Sequence, residues 1–305
     1  MIGRRGLLRG ASVLAAGLVV PAAITGCSGG AAATVRLAAG EQGGFYHAFA
    51  QLLSHTAAGS GLRIETVTTG GSADNLALLA RGAADVALVL ADSVADSPDP
   101  PPAIGRVYEN YLQLAVAANG PIRTVPDLRG ARINLGAAGS GATHTGQMLL
   151  SAAGFTTDAL TRTHLPLREA VTALLDGQLD ALLWAGGVPT AALVIPQLRL
   201  LDLGALTEPM RERFGYLYDP VLIPADTYPG APAIHTIGVA NLLVAAPTLP
   251  EATADALTEL LLTHADSLVP AEAAGTQFLD ARSLIGTGTV PLHPGATTAY
   301  RRHHG

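Results

Sequence analysis

One glycine-rich strand-to-helix turn occurs twice in this chain in a single register, and that duplication limits the folds open to it. The first copy leads from Val35-Arg36-Leu37-Ala38-Ala39-Gly40 into a helical stretch beginning at Phe45, and the second from Ala131-Arg132-Ile133-Asn134-Leu135-Gly136 into one beginning near Gly141. A second signature follows each copy: Gly82-Ala83-Ala84-Asp85 is matched by Gly177-Gln178-Leu179-Asp180. Gly40 lies 96 positions before Gly136, and Gly82 and Asp85 each lie 95 before Gly177 and Asp180. A register held this long implies a duplicated β-α-β-α-β unit. The expected fold is α/β, with two like lobes, each a mostly parallel sheet flanked by helices. Ligands of such folds bind in the crevice beyond the carboxyl ends of the strands.

Hydrophobic periodicity supports this plan. Val35 to Ala38 reads as a buried strand, and Phe45, Phe49, Leu52 and Leu53 form the stripe of an amphipathic helix. Leu62 to Val67 alternates as a strand, Thr69-Gly70-Gly71-Ser72 reads as a turn with Ser72 as N-cap, and Asp74 to Leu79 as the next helix. Val86 to Leu90 is an unbroken apolar strand of the parallel-sheet kind. Ser97 to Pro102 must be loop, Tyr111 to Ala118 a strand leaving the first lobe, and Asn119-Gly120-Pro121 a hinge. In the second half, Ala181 to Trp184 is a strand, and the proline-rich Asp219 to Pro232 segment a second crossing. Thr236 to Ala245 returns as a strand, Pro250–His264 and Pro270–Ala281 are helices, and His303 and His304 end a frayed tail. These assignments put residues 34–120 and 235–305 in lobe 1 and 121–234 in lobe 2, joined by two hinge crossings.

The apolar fraction of 49% with only 4% aromatics calls for a core of Leu, Val, Ile and Ala. All 18 basic residues are arginine and none cluster in the body of the chain, so nucleic-acid binding has no basis. Residues 1–26 read as an export signal, with a twin-arginine start at Arg4-Arg5 and an apolar run from Ala11 to Ala23 too short for a membrane span. Ile24-Thr25-Gly26-Cys27 is similar to a lipobox, which would leave Cys27 as a lipidated first residue. The competing reading is an ordinary small apolar residue, but Cys27 is the only cysteine and has no disulfide partner. Cleavage removes three arginines and no acid, so the formal charge goes from −6 to −9. Residues 27–33 are then a lipid-anchored tether on the outer face of the bacterial membrane.

Four turns should converge on the crevice: Gly40–Tyr46, Thr69–Ser72, Gly136–Thr143 and Trp184–Pro189. Where they lead into helix starts, unsatisfied N–H groups and the positive end of the dipole favour an anion, and glycine permits close approach. The candidate ligand-binding residues are Glu41, Gly43, Gly44, Tyr46, Ser72, Gly139, Ser140, Gly141, Thr143, Trp184 and Gly187. Ser72, Ser140 and Thr143 supply hydroxyls, Tyr46 a phenol and Trp184 an apolar wall. Equally, glycine turns reverse chains and Ser or Thr there caps helices. Glu41 has two readings: partner of a ligand ammonium, or helix-entry carboxylate stabilised by the dipole. Arg168 is either a bidentate carboxylate clamp or a solvated helix residue. On the binding reading, Tyr46→Ala and Ser140→Ala weaken binding and leave the unliganded melting point nearly unchanged.

Catalytic patterns are missing from the sequence. Ala142 stands where a P-loop needs lysine, no Gly-x-Ser-x-Gly elbow occurs, and the nine histidines lack metal-ligand spacing. No enzyme activity, cofactor or metal is expected. An exported enzyme on the same fold would need an acid–base or nucleophile pair in the cleft.

Taken in order, several segments resemble the TAXI class of solute-binding receptors for TRAP transporters. They are Gly43-Gly44-Phe45-Tyr46, Thr69-Gly70-Gly71-Ser72 with Asn75-Leu76, Gly82-Ala83-Ala84-Asp85, Asp127-Leu128-Arg129-Gly130, Gly139-Ser140-Gly141-Ala142-Thr143, Asp176 to Ala181, Tyr228-Pro229-Gly230, and Pro291 to Ala296. The resemblance implies a type II periplasmic-binding-protein clamshell that captures a small anionic or zwitterionic solute, such as a glutamate-like amino acid or a dicarboxylate. It implies delivery to TRAP membrane permease subunits, a monomeric receptor, and ligand contacts for Tyr46, Ser72, Gly139, Ser140, Gly141 and Thr143. His47 stands where that class often has tyrosine, and Glu41 where it has a small residue or proline. Two alternatives remain beside it: a ligand-sensing lipoprotein that feeds a signalling partner, and an ABC-type solute-binding protein.

Overall fold

In the computed structural model, which describes residues 33–270 and 279–304, both glycine turns join a buried strand to a 12-residue helix. The first unit is β1 (Ala33–Ala38), α1 (Phe45–Thr56), β2 (Leu62–Val67), α2 (Ser72–Ala80) and β3 (Val86–Leu90), followed by α3 (Ala91–Ala95) and the long β4 (Ala103–Ala117). The second is β5 (Arg132–Asn134), α4 (Gly141–Ala152), β6 (Thr161–Thr163), α5 (Leu167–Leu175) and β7 (Ala181–Gly186). Then come β8 (Leu198–Leu200), α6 (Thr207–Phe214), β9 (Tyr218–Ile223), β10 (Ile234–Ala245), α7 (Glu251–Thr263), α8 (Ala281–Leu284) and α9 (Pro294–His304).

The strands run β2-β1-β3-β10-β4-β7-β5-β6, with β8 pairing beside β4 and β9 beside β10. Read from either end, the order is the same: second strand, first strand, third strand, then a long antiparallel crossing strand. Register repeats as well. Arg36 pairs with Glu65 and Leu37 with Val86, while Arg132 pairs with Thr161 and Ile133 with Ala181.

The duplication extends to individual hydrogen bonds. Arg36 donates its backbone N–H, Nε and Nη2 to Asp85 at 2.7, 3.0 and 2.7 Å. Arg132 does the same to Asp180 at 2.8, 3.0 and 2.7 Å. The Gly-x-x-Asp signature is therefore a clasp that ties the third strand of each half to the first. Its glycines, Gly82 at φ 67° and Gly177 at φ 70°, end the preceding helices in the left-handed region, which suits glycine. The arginine beside each carboxyl holds Asp85 and Asp180 below the usual carboxylate range.

Helix α1 buries Phe45, Tyr46, Phe49, Ala50 and Leu53, and Leu52 is only half-buried at the stripe's edge. Tyr108 of β4, fully buried, stands against this helix with its ring centroid 3.9 Å from that of Phe45 and 5.6 Å from that of Phe49. A second apolar cluster gathers Leu114, Ile133, Leu135, Leu149 and Leu183 around α4, and a third packs Ala170, Leu174, Leu182 and Trp184 around α5. The described residues of both halves belong to one compact unit.

Several expectations need correction. Strand β4 begins at Ala103, eight residues before Tyr111, because Arg106, Glu109 and Asn110 interrupt the apolar run while pairing with β10 continues past them through two register shifts. The proline-rich crossing contains β9, whose Pro220 sits on a strand at the sheet margin, where proline is tolerated. The C-terminus is not a frayed tail: His303 lies in α9, with Nε2 2.7 Å from Glu259, and Arg302 pairs with Asp255 and Glu259 of α7. Most of the expected Pro270–Ala281 helix lies outside the described residues, as do Cys27 and the signal segment 1–26. Among the described residues no helix is long and apolar enough to cross a membrane.

The crossing strand carries a buried acid. Glu109 is 3% exposed, receives Arg106 Nη2 at 2.9 Å, and has an Oε1 with no partner. Burial, opposed by Arg106, pushes its carboxyl up to about 7. The native state then retains a proton that the unfolded chain releases near pH 4.5, so stability is greatest below about 4.5 and is lost as pH rises to about 7. The expected loss is about 3 kcal/mol, and Glu109→Gln should flatten the decline. Urea melts of both proteins at pH 5 and pH 8 measure it; equal slopes would refute the assignment.

Candidate functional site

The two first turns have the same shape. Gly43 at φ 81° and Gly139 at φ 79° occupy equivalent places. Gly44 N–H donates to Glu41 O at 2.9 Å, and Ser140 N–H to Ala137 O at 3.1 Å. Helices α1 and α4 begin one residue later, so their starts face each other across the cleft between the halves. Ser140 caps α4 by accepting the Thr143 N–H at 3.3 Å, whereas Gly44 has no side chain to cap α1.

Each first turn also reaches across to the second helix of the opposite half. The Gly139 carbonyl accepts the Ala73 and Asp74 N–H groups at 3.0 and 3.3 Å, capping α2. Glu41 Oε2 accepts the Leu167 N–H at 3.2 Å, capping α5. Glu41 is thus a helix-entry carboxylate, but for α5 rather than for its own helix. Burial raises its carboxyl above the ordinary range, and the Leu167 N–H opposes that.

Capping of α2 from across the cleft displaces Ser72 from its expected role. Gly71, at φ 125°, holds the N-cap position. The Ser72 hydroxyl instead accepts the Leu90 N–H at 3.1 Å and lies 3.3 Å from Tyr46 Oη. Asn75 anchors the turn from beneath, donating to the Ala39 and Leu88 carbonyls and accepting the Thr69 hydroxyl at 2.6 Å.

Between the halves lies a chamber of about 50 Å³. Turns of the first half contribute Glu41, Gly44, Tyr46, Gly71 and Ser72 to it, and the other half Ser140, Gly141, Trp184 and Ala185, with Leu90 and Asn110 from β3 and β4 also lining it. A second chamber of about 220 Å³ adjoins, sharing Glu41, Gly44, Phe45 and Trp184 and adding Gly43, Arg168, Glu169, Gly187 and Thr190. Among the described residues no arginine or histidine lines the first chamber. Polar atoms here are buried without partners: Glu41 Oε1, Asn110 Oδ1 and Trp184 Nε1. Tyr108 Oη, on the ring that packs against α1, is a further one. Buried groups left unpaired cost stability and mark places where another molecule's polar atoms would be favoured.

Nine of the eleven expected residues line one or the other chamber. Gly139 and Thr143 line neither. Gly139 spends its carbonyl on α2, and the Thr143 hydroxyl is held by the Leu135 and Ala137 carbonyls at 3.1 and 3.2 Å. Gly187 is positioned by Gln113 Nε2, which donates to its carbonyl at 3.1 Å, and by the Thr190 hydroxyl at 2.8 Å. Tyr228 completes that network, donating to Gln113 Oε1 and accepting the Thr190 N–H. Arg168 is exposed at the second chamber's rim. Asn110 and Leu90 escaped the sequence reading; the polar pair Glu109-Asn110 inside a crossing strand was the available signal.

The expectation that Tyr46→Ala and Ser140→Ala leave the unliganded fold unaffected also needs correction. Tyr46 is buried against Tyr108, with ring centroids 6.2 Å apart, and Ser140 is the N-cap of α4. Both changes would lower the melting point. Tyr46→Phe removes the phenol hydroxyl alone.

The NMT1-like family's model matches residues 102–303. Among solved structures, the chain is similar to a protein of Bordetella bronchiseptica RB50, with a TM-score of 0.60, 16% identity, and coverage of 90% of this chain and 98% of that one. It is similar to Tv2483, solved bound to L-arginine, with a TM-score of 0.52, 11% identity, and coverage of 77% and 87%. It also matches the periplasmic aliphatic sulphonate binding protein SsuA of Escherichia coli, with a TM-score of 0.44, 18% identity, and coverage of 89% and 83%. At these identities the likeness is one of fold: the chain shares its α/β architecture with the Bordetella protein and with Tv2483.

Proposed function

The chain belongs to the NMT1-like family, and on that premise we propose that it is an extracytoplasmic solute-binding receptor whose two lobes close on a small anionic or zwitterionic solute. The observation that carries this reading is the pair of chambers between like halves, where Glu41 Oε1, Asn110 Oδ1 and Trp184 Nε1 are buried without partners. The lobes are residues 34–120 with 235–305, and 121–234, hinged at β4 and β10. The solute is a glutamate-like amino acid or a dicarboxylate, handed by a monomeric receptor to TRAP-type membrane permease subunits. Cys27 carries the lipid anchor after removal of residues 1–26. No reaction is catalysed. The first chamber offers no nucleophile paired with a base: the Tyr46 phenol is pushed up by burial, and its hydroxyl neighbour is Ser72.

A thermal-shift screen of the protein with amino acids, 2-oxoacids and dicarboxylates tests this reading. A solute at about 100 times its Kd should add about 2.7 kcal/mol of stability. Because dipoles and hydroxyls rather than arginines would hold the anion, affinity should change little between low and physiological salt. Silence from all three classes would remove the reading.

A further inference from the structure

Four helix starts meet at the cleft, but they are not alike. Those of α2 and α5 are capped from the opposite half, through the Gly139 carbonyl and Glu41 Oε2. Those of α1 and α4 face the first chamber through Gly44, Phe45, Ser140 and Gly141. Apart from the Thr143 N–H, which Ser140 Oγ accepts, the first N–H groups of these two helices present partial positive charge to whatever lies there. At the junction of the two chambers stands the carboxylate of Glu41. Glu41 has its Oε2 engaged by Leu167, while its Oε1 is buried and has no partner. Asn110 Oδ1 is a second unpartnered acceptor on the same chamber.

From this polarity we infer that the solute is a zwitterion, with its ammonium donating to Glu41 Oε1 and its carboxylate at the α1 and α4 starts, and that Glu41 makes the site reject acids lacking an amino group. The inference rests on the receptor reading and narrows its solute class. An ammonium supplies the donor that Glu41 Oε1 lacks, and a charge-assisted hydrogen bond of this kind is among the stronger polar contacts. A second carboxylate in that position would face Glu41 as a like charge at the edge of a chamber that no arginine lines. Glu169, on the second chamber, adds to the same negative side, and Arg168 at the rim is exposed. The Trp184 indole, shared by both chambers, can flank the ammonium.

Glu41→Gln separates the charge from the architecture, since a glutamine oxygen can still accept the Leu167 N–H and keep α5 capped. Calorimetric titration of both proteins would compare L-glutamate with glutarate, L-aspartate with succinate, and 4-aminobutanoate with butanoate. The best-bound amino compound should bind wild type about 30-fold tighter than its partner lacking the amino group, and Glu41→Gln should remove about 30-fold of that affinity. The unliganded melting point should stay within about a degree, consistent with a retained cap. If the acid lacking nitrogen binds wild type as tightly, or Glu41→Gln binds the amino compound as wild type does, the inference is wrong while the receptor reading stands. If no compound of either kind binds wild type, the inference is wrong, and silence of the 2-oxoacids in the thermal screen as well removes the receptor reading.

Discussion

Replacing Gly70 with alanine is expected to weaken solute binding by about 100-fold while leaving each lobe folded. Gly70 sits in the lobe-one turn before α2, and a Cβ there would fall well inside contact distance of the Ala138 carbonyl oxygen on the opposite half. That oxygen belongs to the backbone of the turn that caps α2, so it cannot move aside without withdrawing Gly139 from Ala73 and Asp74. The methyl group therefore acts as a wedge at the seam. If closure falls to about one part in a hundred, apparent affinity falls by the same factor, because only the closed form holds the solute. Gly141→Ala should act similarly, since its Cβ would meet Ser72 Oγ and sit 2.7 Å from Leu90 Cδ1. Titration with the best solute of the screen, beside a melt of the unliganded protein, distinguishes a wedge from a folding defect. Wild-type affinity in Gly70→Ala would mean that the halves need not meet there.

The largest stability effect is expected at Tyr108. With few aromatics to draw on, the first half builds its centre from Phe45, Tyr46 and Phe49 around this one ring, which is fully buried. Tyr108→Ala should cost about 4 kcal/mol, in line with other truncations of large buried rings. Tyr108→Phe should cost almost nothing, because the hydroxyl it removes is buried and unpartnered. Denaturant melts of the two variants decide it. A large loss in Tyr108→Phe would show that the hydroxyl has a partner important for the fold.

How much of this was legible beforehand varied with the kind of signal. Strands β2 and β3 end where their apolar patterns end, at Leu62–Val67 and Val86–Leu90: β2 alternates because it is the outermost strand with one face covered, and β3 is apolar throughout because it lies between β1 and β10 and is buried on both faces. The duplicated register predicted the two turns, and the structure adds the reason for the aspartates: each clasps an arginine on the first strand of its own half. What escaped was whatever depends on contacts between the halves. Ser72 has the chemistry of an N-cap, yet a carbonyl from 67 residues away took that duty and left its hydroxyl on the cleft floor. Glu41 looked like the entry to α1 and serves α5. Asn110 lay hidden because a polar residue inside a crossing strand looks like a break until the partner strands are known. Local rules do not contain that information.

The proposed function requires two like halves to close over a small guest. Solution X-ray scattering of the wild-type protein, with and without a saturating amount of the best solute from the thermal screen, measures that closure directly. Adding solute should give a smaller radius of gyration in wild type, and no such change in Gly70→Ala. An unchanged radius in wild type with the solute demonstrably bound would contradict it.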